Sequence, residues 1–138
     1  MVDTIPDKPR KGRGAVGNPS GRYDARDRVR VDDGWWQEEE NLAGQWVTEL
    51  KPDASRTILT RNVSPDIPFN RSINPYKGCE HGCIYCFARP THSYLGLSPG
   101  LDFETKIFFK PDAAALLEKE LRKPGYQCAP IALGVNTD

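Results

Sequence analysis

Three of the four cysteines in this chain fall within eight residues, Cys79-Glu-His-Gly-Cys83-Ile-Tyr-Cys86. The spacing is C-x3-C-x2-C, with an aromatic residue, Tyr85, just before the last cysteine. Gly78 and Gly82 allow the backbone to turn sharply around the thiols. Thiolates are soft ligands that select zinc, copper(I) or iron–sulfur clusters. A loop of this length can wrap a cubane and offer one sulfur to each of three irons. A structural cluster asks for four cysteines. A cubane held by three leaves one iron open, where a substrate or cofactor can bind.

Other readings of the same residues stand beside this one. A non-catalytic, zinc-stabilised binding module with a basic tail would need Cys128 or His81 to complete four ligands. Such sites usually show two paired knuckles, and here there is one compact triplet. A ferredoxin-like electron carrier would want a fourth local ligand, and Cys83 with Cys86 could also form a redox dithiol. Cys128 sits alone in a Pro/Gly-rich stretch. His81 and His92 read as loop histidines without the partner pattern of a catalytic base.

The length of 138 residues allows one ordinary domain. With 38% hydrophobic residues, twelve glycines and twelve prolines, only part of the chain is expected to build a core. The 19 basic and 19 acidic residues cancel, so overall charge points to neither nucleic acid nor membrane. The opening MVDTIPDKPRKGRG has no apolar stretch behind it and is no secretory signal. No run approaches the roughly 20 apolar residues of a membrane span. The expected location is cytoplasmic, where clustered cysteines serve as ligands or catalysts rather than disulfides.

Residues 1–45 read as a disordered tail, basic from Lys8 to Arg30 and acidic from Asp32 to Glu40. A basic Gly/Pro-rich arm can neutralise phosphates. The competing reading is a solvated tail, because the acidic block follows at once. Trp35 and Trp36 are expected to dock on a core surface. Removing residues 1–30 is expected to leave the metal content unchanged.

Residues 46–138 hold the ordered part. Gln45–Leu50 and Arg56–Asn62 have the β-branched content of short strands, and Arg71–Tyr76 is an extended segment that delivers the chain to the cysteines. A short helix is expected near Thr91–Leu95, then a loop from Gly96 to Gly100. Thr105–Phe109 is a strand candidate. Pro111–Lys123 is the best helix, with Ala113, Leu116, Leu117 and Leu121 on one apolar face. Ile131–Val135 reads as a buried strand with Asn136–Asp138 at its polar tip. This alternation predicts an α/β fold with parallel strands.

At the cysteine loop the sequence resembles the radical S-adenosylmethionine (radical SAM) superfamily, whose C-x3-C-x-aromatic-C signature is matched by Cys79, Cys83, Tyr85 and Cys86. The wider run Ser72–His92, with Asp102-Phe-Glu-Thr-Lys106 and Gly134-Val-Asn-Thr-Asp138, resembles the branch related to spore photoproduct lyase, often labelled DNA repair photolyase-like. The resemblance implies a [4Fe-4S] cluster on Cys79, Cys83 and Cys86, with SAM bound at the fourth iron. It implies reductive cleavage of SAM to a 5′-deoxyadenosyl radical that abstracts hydrogen from a substrate. It places Tyr85 against the adenine and Asn136 and Thr137 near the SAM amino group. It also implies an electron donor such as flavodoxin or ferredoxin, with nucleic acid among the candidate partners. The fold it implies is a partial (β/α)6 barrel, of which this chain would hold only the opening part, too little to enclose SAM and be active alone. Val135 stands where spore photoproduct lyase has its hydrogen-donating cysteine, so the substrate is left open.

Overall fold

A computed structural model describes residues 8–29, 31 and 47–137. Trp35, Trp36 and the start of the segment expected at Gln45–Leu50 lie outside the described residues.

Strand β1 (Glu49–Pro52) runs parallel to the strand at Lys106–Phe109, with Glu49 opposite Lys106 and Pro52 opposite Phe109. Strands β2 (Leu59–Arg61) and β3 (Arg71–Ile73) form an antiparallel pair, with Leu59 opposite Ile73. Two residues later the same extended segment continues as β4 (Tyr76–Lys77), now in the other sheet. A 3-10 helix (Arg89–Leu95) carries Pro90 in its first turn, where a missing N–H costs no hydrogen bond. Helix α1 (Leu101–Thr105) runs without a break into β5 (Lys106–Phe109). Helix α2 (Ala113–Leu121) and strand β6 (Ala132–Leu133) follow. The sheets are ordered β1-β5-β4 and β2-β3-β6.

Both sheets are mixed. In the first, β1 and β5 are parallel but β4 is antiparallel to β5. In the second, β2 and β3 are antiparallel, while β6 lies parallel to β3 with Ser72 opposite Ala132. The expected opening part of a partial (β/α)6 barrel is therefore not what the chain forms. A barrel needs successive parallel strands, each followed by a crossover helix that covers the sheet. Here the elements between β4 and β5 are one 3-10 helix and a five-residue helix, and they return the chain antiparallel.

Local patterns were better guides than topology. The helix expected over Pro111–Lys123 is α2, the strand expected over Thr105–Phe109 is β5, and the extended Arg71–Tyr76 segment supplies β3 and the first residue of β4. The strand expected to be buried at Ile131–Val135 is present only as β6, and its Leu133 is 72% exposed. Helix α2 lays its apolar stripe only half into the protein: Ala113, Leu116 and Leu117 are half-buried and Leu121 is exposed. Its one buried residue is Glu120, whose carboxylate accepts the Ile58 N–H at 2.8 Å.

The expected disordered tail is also corrected for residues 8–29. They contain no described helix, yet Arg13 to Pro19 lie against the molecule through hydrogen bonds to residues 79 to 91 positions away in the chain. An isolated five-residue helix is far below the length that is stable in water. At α1 this arm satisfies the first backbone donors. The Leu101 N–H bonds to the Gly17 carbonyl at 3.0 Å, and the Asp102 N–H bonds to Asn18 Oδ1 at 2.8 Å. All five residues of α1 are buried, with Leu101 and Phe103 supplying the apolar core.

Candidate metal centre

The cysteine loop lies beside α1 at the end of β4. Gly78 and Gly82 both adopt left-handed backbone, with φ of 91° and 68°, which β-carbon-bearing residues rarely take. At Gly78 the space is also closed: a methyl group there would stand 2.8 Å from the Phe103 carbonyl oxygen and 3.1 Å from the His92 ring. Next to it, the Cys79 N–H donates to that same Phe103 carbonyl at 3.0 Å. The Cys86 N–H closes a turn on the Cys83 carbonyl at 3.1 Å.

All four cysteines are free thiols. Cys79 is buried in a small apolar cluster with Ala88 and Phe103, and Cys86 packs against that cluster. Cys83 and Cys86 are half-buried, and Cys128 is exposed. Among the described residues, no three His, Cys, Asp or Glu side chains stand close enough together to hold a metal ion. The loop is thus no preformed single-ion site, and Cys128 does not complete one. A cubane would take each thiolate on a different iron, a geometry that a single-ion site does not require.

Arg89, three residues past the last cysteine of the loop, organises its far side. Its Nε donates to the Cys83 carbonyl at 2.9 Å, and its Nη1 to the carbonyls of Pro99 and Gly100, each at 3.2 Å. Its Nη2 pairs with Glu104 Oε1 at 2.6 Å. The Glu104 side chain is fully buried, and its carboxylate also accepts the N–H groups of Gly14 at 3.0 Å and Ala15 at 2.8 Å. A buried charge survives only when paired and hydrogen-bonded, and Glu104 meets both conditions. Asp102, the other acid of α1, accepts the Ser98 N–H at 2.9 Å and pairs with Lys106 at 3.0 Å.

His92 is no surface loop histidine. It is fully buried and sits edge-on to Phe103, with ring centroids 5.1 Å apart. Its Nε2–H donates to the Lys106 carbonyl at 2.8 Å, while Nδ1 is buried without a hydrogen-bond partner. Burial pushes its pKa below the ordinary 6.5, against the upward pull of that hydrogen bond and of Asp102, so the ring is neutral at physiological pH.

A cleft of about 620 Å³ opens beside Cys79. Its lining includes apolar Tyr76, Ile107 and Leu133 and polar Glu80, His81 and Thr137. The structure therefore brings Thr137 to the same cleft as Cys79, 58 positions earlier in the chain. The Thr137 hydroxyl donates to the Gly78 carbonyl at 2.7 Å, at the root of the loop. Neither Asn136 nor Tyr85 lines this cleft, and Tyr85 is 86% exposed.

Arg89, Glu104, Asp102 and Asn18 escaped the sequence reading. The available signal was two carboxylates within the otherwise apolar-and-Thr stretch Leu101-Asp-Phe-Glu-Thr105. Their partners, Asn18, Gly14 and Ala15, are too distant in sequence for any local pattern to pair them.

The chain is similar to three uncharacterized proteins: Mb2609c of Mycobacterium bovis, and MT2655 and Rv2578c of Mycobacterium tuberculosis. Identity is 51% over 72 residues with each, covering 52% of this chain and 21% of the relative. The chain thus spans about a fifth of the length of the curated relatives it matches. No protein-family model matches the sequence. No solved structure matches it either, so no barrel of known structure stands behind the expected fold. Among the described residues, no helix is long and apolar enough to cross a membrane.

Proposed function

We propose that this chain carries the cluster-binding segment of a radical SAM protein, with Cys79, Cys83 and Cys86 as the ligands of a [4Fe-4S] cluster. The observation that carries the reading is the C-x3-C-x2-C loop itself, with three free thiols, the first of which, Cys79, lines a cleft together with Thr137. When bound, such a cluster supplies the electron for reductive cleavage of SAM, and hydrogen abstraction from a substrate follows from that chemistry.

The chain's own residues supply position. Arg89 holds the Cys83 carbonyl, α1 holds the Cys79 N–H, and Thr137 holds the Gly78 carbonyl. These three bonds restrain the loop at its root, its first ligand and its second. The cleft beside Cys79 offers apolar walls with a few polar groups, the general make-up of a small-molecule site. Thr137 is the residue of the expected pair that lies where it could meet SAM; Tyr85 would need the loop to turn before it reached the same cleft. The electron donor, the substrate and any nucleic-acid contact are further parts of this proposal that rest on the resemblance alone.

The test is metal content. Anaerobic purification followed by iron and sulfide analysis is expected to give about four irons per chain, with a broad visible charge-transfer shoulder. Replacing Cys83 or Cys86 by alanine is expected to abolish that content, and Cys128→Ala to leave it unchanged. One zinc per chain with no colour would overturn the reading in favour of a structural zinc module.

A further inference from the structure

We infer that the N-terminal arm, Arg13 to Pro19, is a strap that positions the metal-ligand loop rather than a dispensable tail. The first observation is the way α1 is completed. Its two leading backbone donors, Leu101 N–H and Asp102 N–H, find their acceptors on Gly17 and Asn18 of the arm. Without the arm those donors would lose their partners, and a helix this short depends on such tertiary contacts to persist.

The second observation is what α1 then holds. Its Phe103 carbonyl takes the Cys79 N–H, and its Glu104 carboxylate takes Arg89, whose Nε takes the Cys83 carbonyl. The arm touches this relay twice more, because Gly14 N–H and Ala15 N–H bond to the two oxygens of Glu104. Glu104 thus receives three charge-assisted or backbone bonds from two segments, and losing the arm would leave a buried carboxylate with only Arg89.

The third observation is direct contact. Gly14 lies so close to the loop that a β-carbon added to it would overlap the Gly82 carbonyl oxygen. Arg13 spans the same rim, with Nη1 on the Glu104 carbonyl at 3.0 Å and Nη2 on Thr48 Oγ1 at 3.0 Å. Farther along, Ser98 Oγ donates to the Pro19 carbonyl at 2.6 Å, and the hydroxyls of Tyr23 and Tyr94 meet at 2.8 Å. The arm therefore follows the whole run from the cysteine loop to the 3-10 helix. Its effect on metal loading rests on the cluster reading above; its effect on the thiols does not.

The experiment uses the full chain, metal-free and reduced, with maleimide labelling read cysteine by cysteine by mass spectrometry. Exposed Cys128 serves as the internal reference. Gly14→Ala, which forces the arm off Gly82, is expected to raise the labelling rates of Cys79, Cys83 and Cys86 relative to Cys128 on the order of tenfold, as local opening does. Asn18→Ala is expected to raise them about threefold, and Asn18→Ser, which keeps a short capping acceptor, to restore most of the wild-type ratio. Should Gly14→Ala show no cooperative thermal transition, the Asn18 pair decides. Ratios within about twofold of wild type in a folded variant overturn the strap, since loss of a single buried bond should exceed that. Reconstitution with ferrous iron and sulfide then separates the two ideas. Lower iron uptake in Gly14→Ala than in wild type supports both. A wild-type chain that takes up no iron while the labelling ratio still rises upholds the strap and overturns the cluster reading alone.

Discussion

The two ends of this molecule are held together differently. Around α1, polar groups are buried and almost all paired: Glu104 with Arg89, Asp102 with Lys106, Ser98 with Asp102. Around β2, β3, β6 and α2, the elements are short, and beside the buried Ile58 and Ile73 other apolar residues stand open, as Leu133 and Leu121 show. One buried acid, Glu120, anchors α2 through a single bond to Ile58 N–H. The first region gains its order from a connected network, in which each bond fixes a partner for the next. The second relies on isolated contacts, each of which can fail alone. The loop proposed to present three thiols sits in the first region, where displacement of one side chain would break several bonds at once.

The largest effect should come from Glu104→Ala. Removing one partner of a buried ion pair leaves Arg89 uncompensated and should cost about 3 kcal/mol or more in denaturant unfolding. It should also release the arm, seen as faster proteolysis after Arg13. A loss below about 1 kcal/mol would erase the contrast between the two regions, because that is the value of an ordinary single hydrogen bond. Glu120→Ala is the matching change in the other region. It strands one buried N–H and should cost about 1 to 2 kcal/mol, with no change in labelling of the cysteine loop.

Asp53 sharpens the comparison through pH. Burial raises its pKa, but hydrogen bonds from Lys77 and Ser55, with the Lys77 charge, outweigh that and hold it down from 3.8 to about 2. The folded-state value is depressed, so the stabilisation is complete above the unfolded-state value near 3.8 and is lost as pH falls through about 2. With screening at this partly solvated site, Asp53→Asn should cost about 1 kcal/mol at pH 7 and nothing at the lowest pH. A cost that persists unchanged at acid pH would mean that the charge is not what matters. The smallest effect should be Arg122→Ala, which breaks an exposed i,i+4 pair with Glu118 at 2.7 Å and should cost about 0.3 kcal/mol in a thermal melt.

The same contrast explains what could be read from residues in order. Helix α2 was legible because its apolar residues recur at helical spacing behind Pro111, and β5 because Lys-Ile-Phe-Phe is a compact run of strand formers. Helix α1 was not legible: five residues carry no periodicity, and its first backbone donors are met by Gly17 and Asn18, more than 80 positions upstream. His92 looked like a loop residue because its burial is created by Phe103 and β5 folding over it. The arm looked disordered because its backbone partners belong to another part of the chain, and composition records only what a segment lacks.

The sequence by itself determined the loop: three thiols at fixed spacing, with glycines where the backbone must turn left-handed, are local chemistry that no tertiary contact supplies. It also determined the two elements whose periodicity is long enough to declare them. Only the tertiary structure decided the mixed sheets, the docking of the arm and the relay from Gly14 through Glu104 and Arg89 to Cys83. Strand direction and ion-pair partners depend on which distant segments meet. That choice is settled by the burial of polar groups that must all be satisfied together, a global condition that no short window of residues contains.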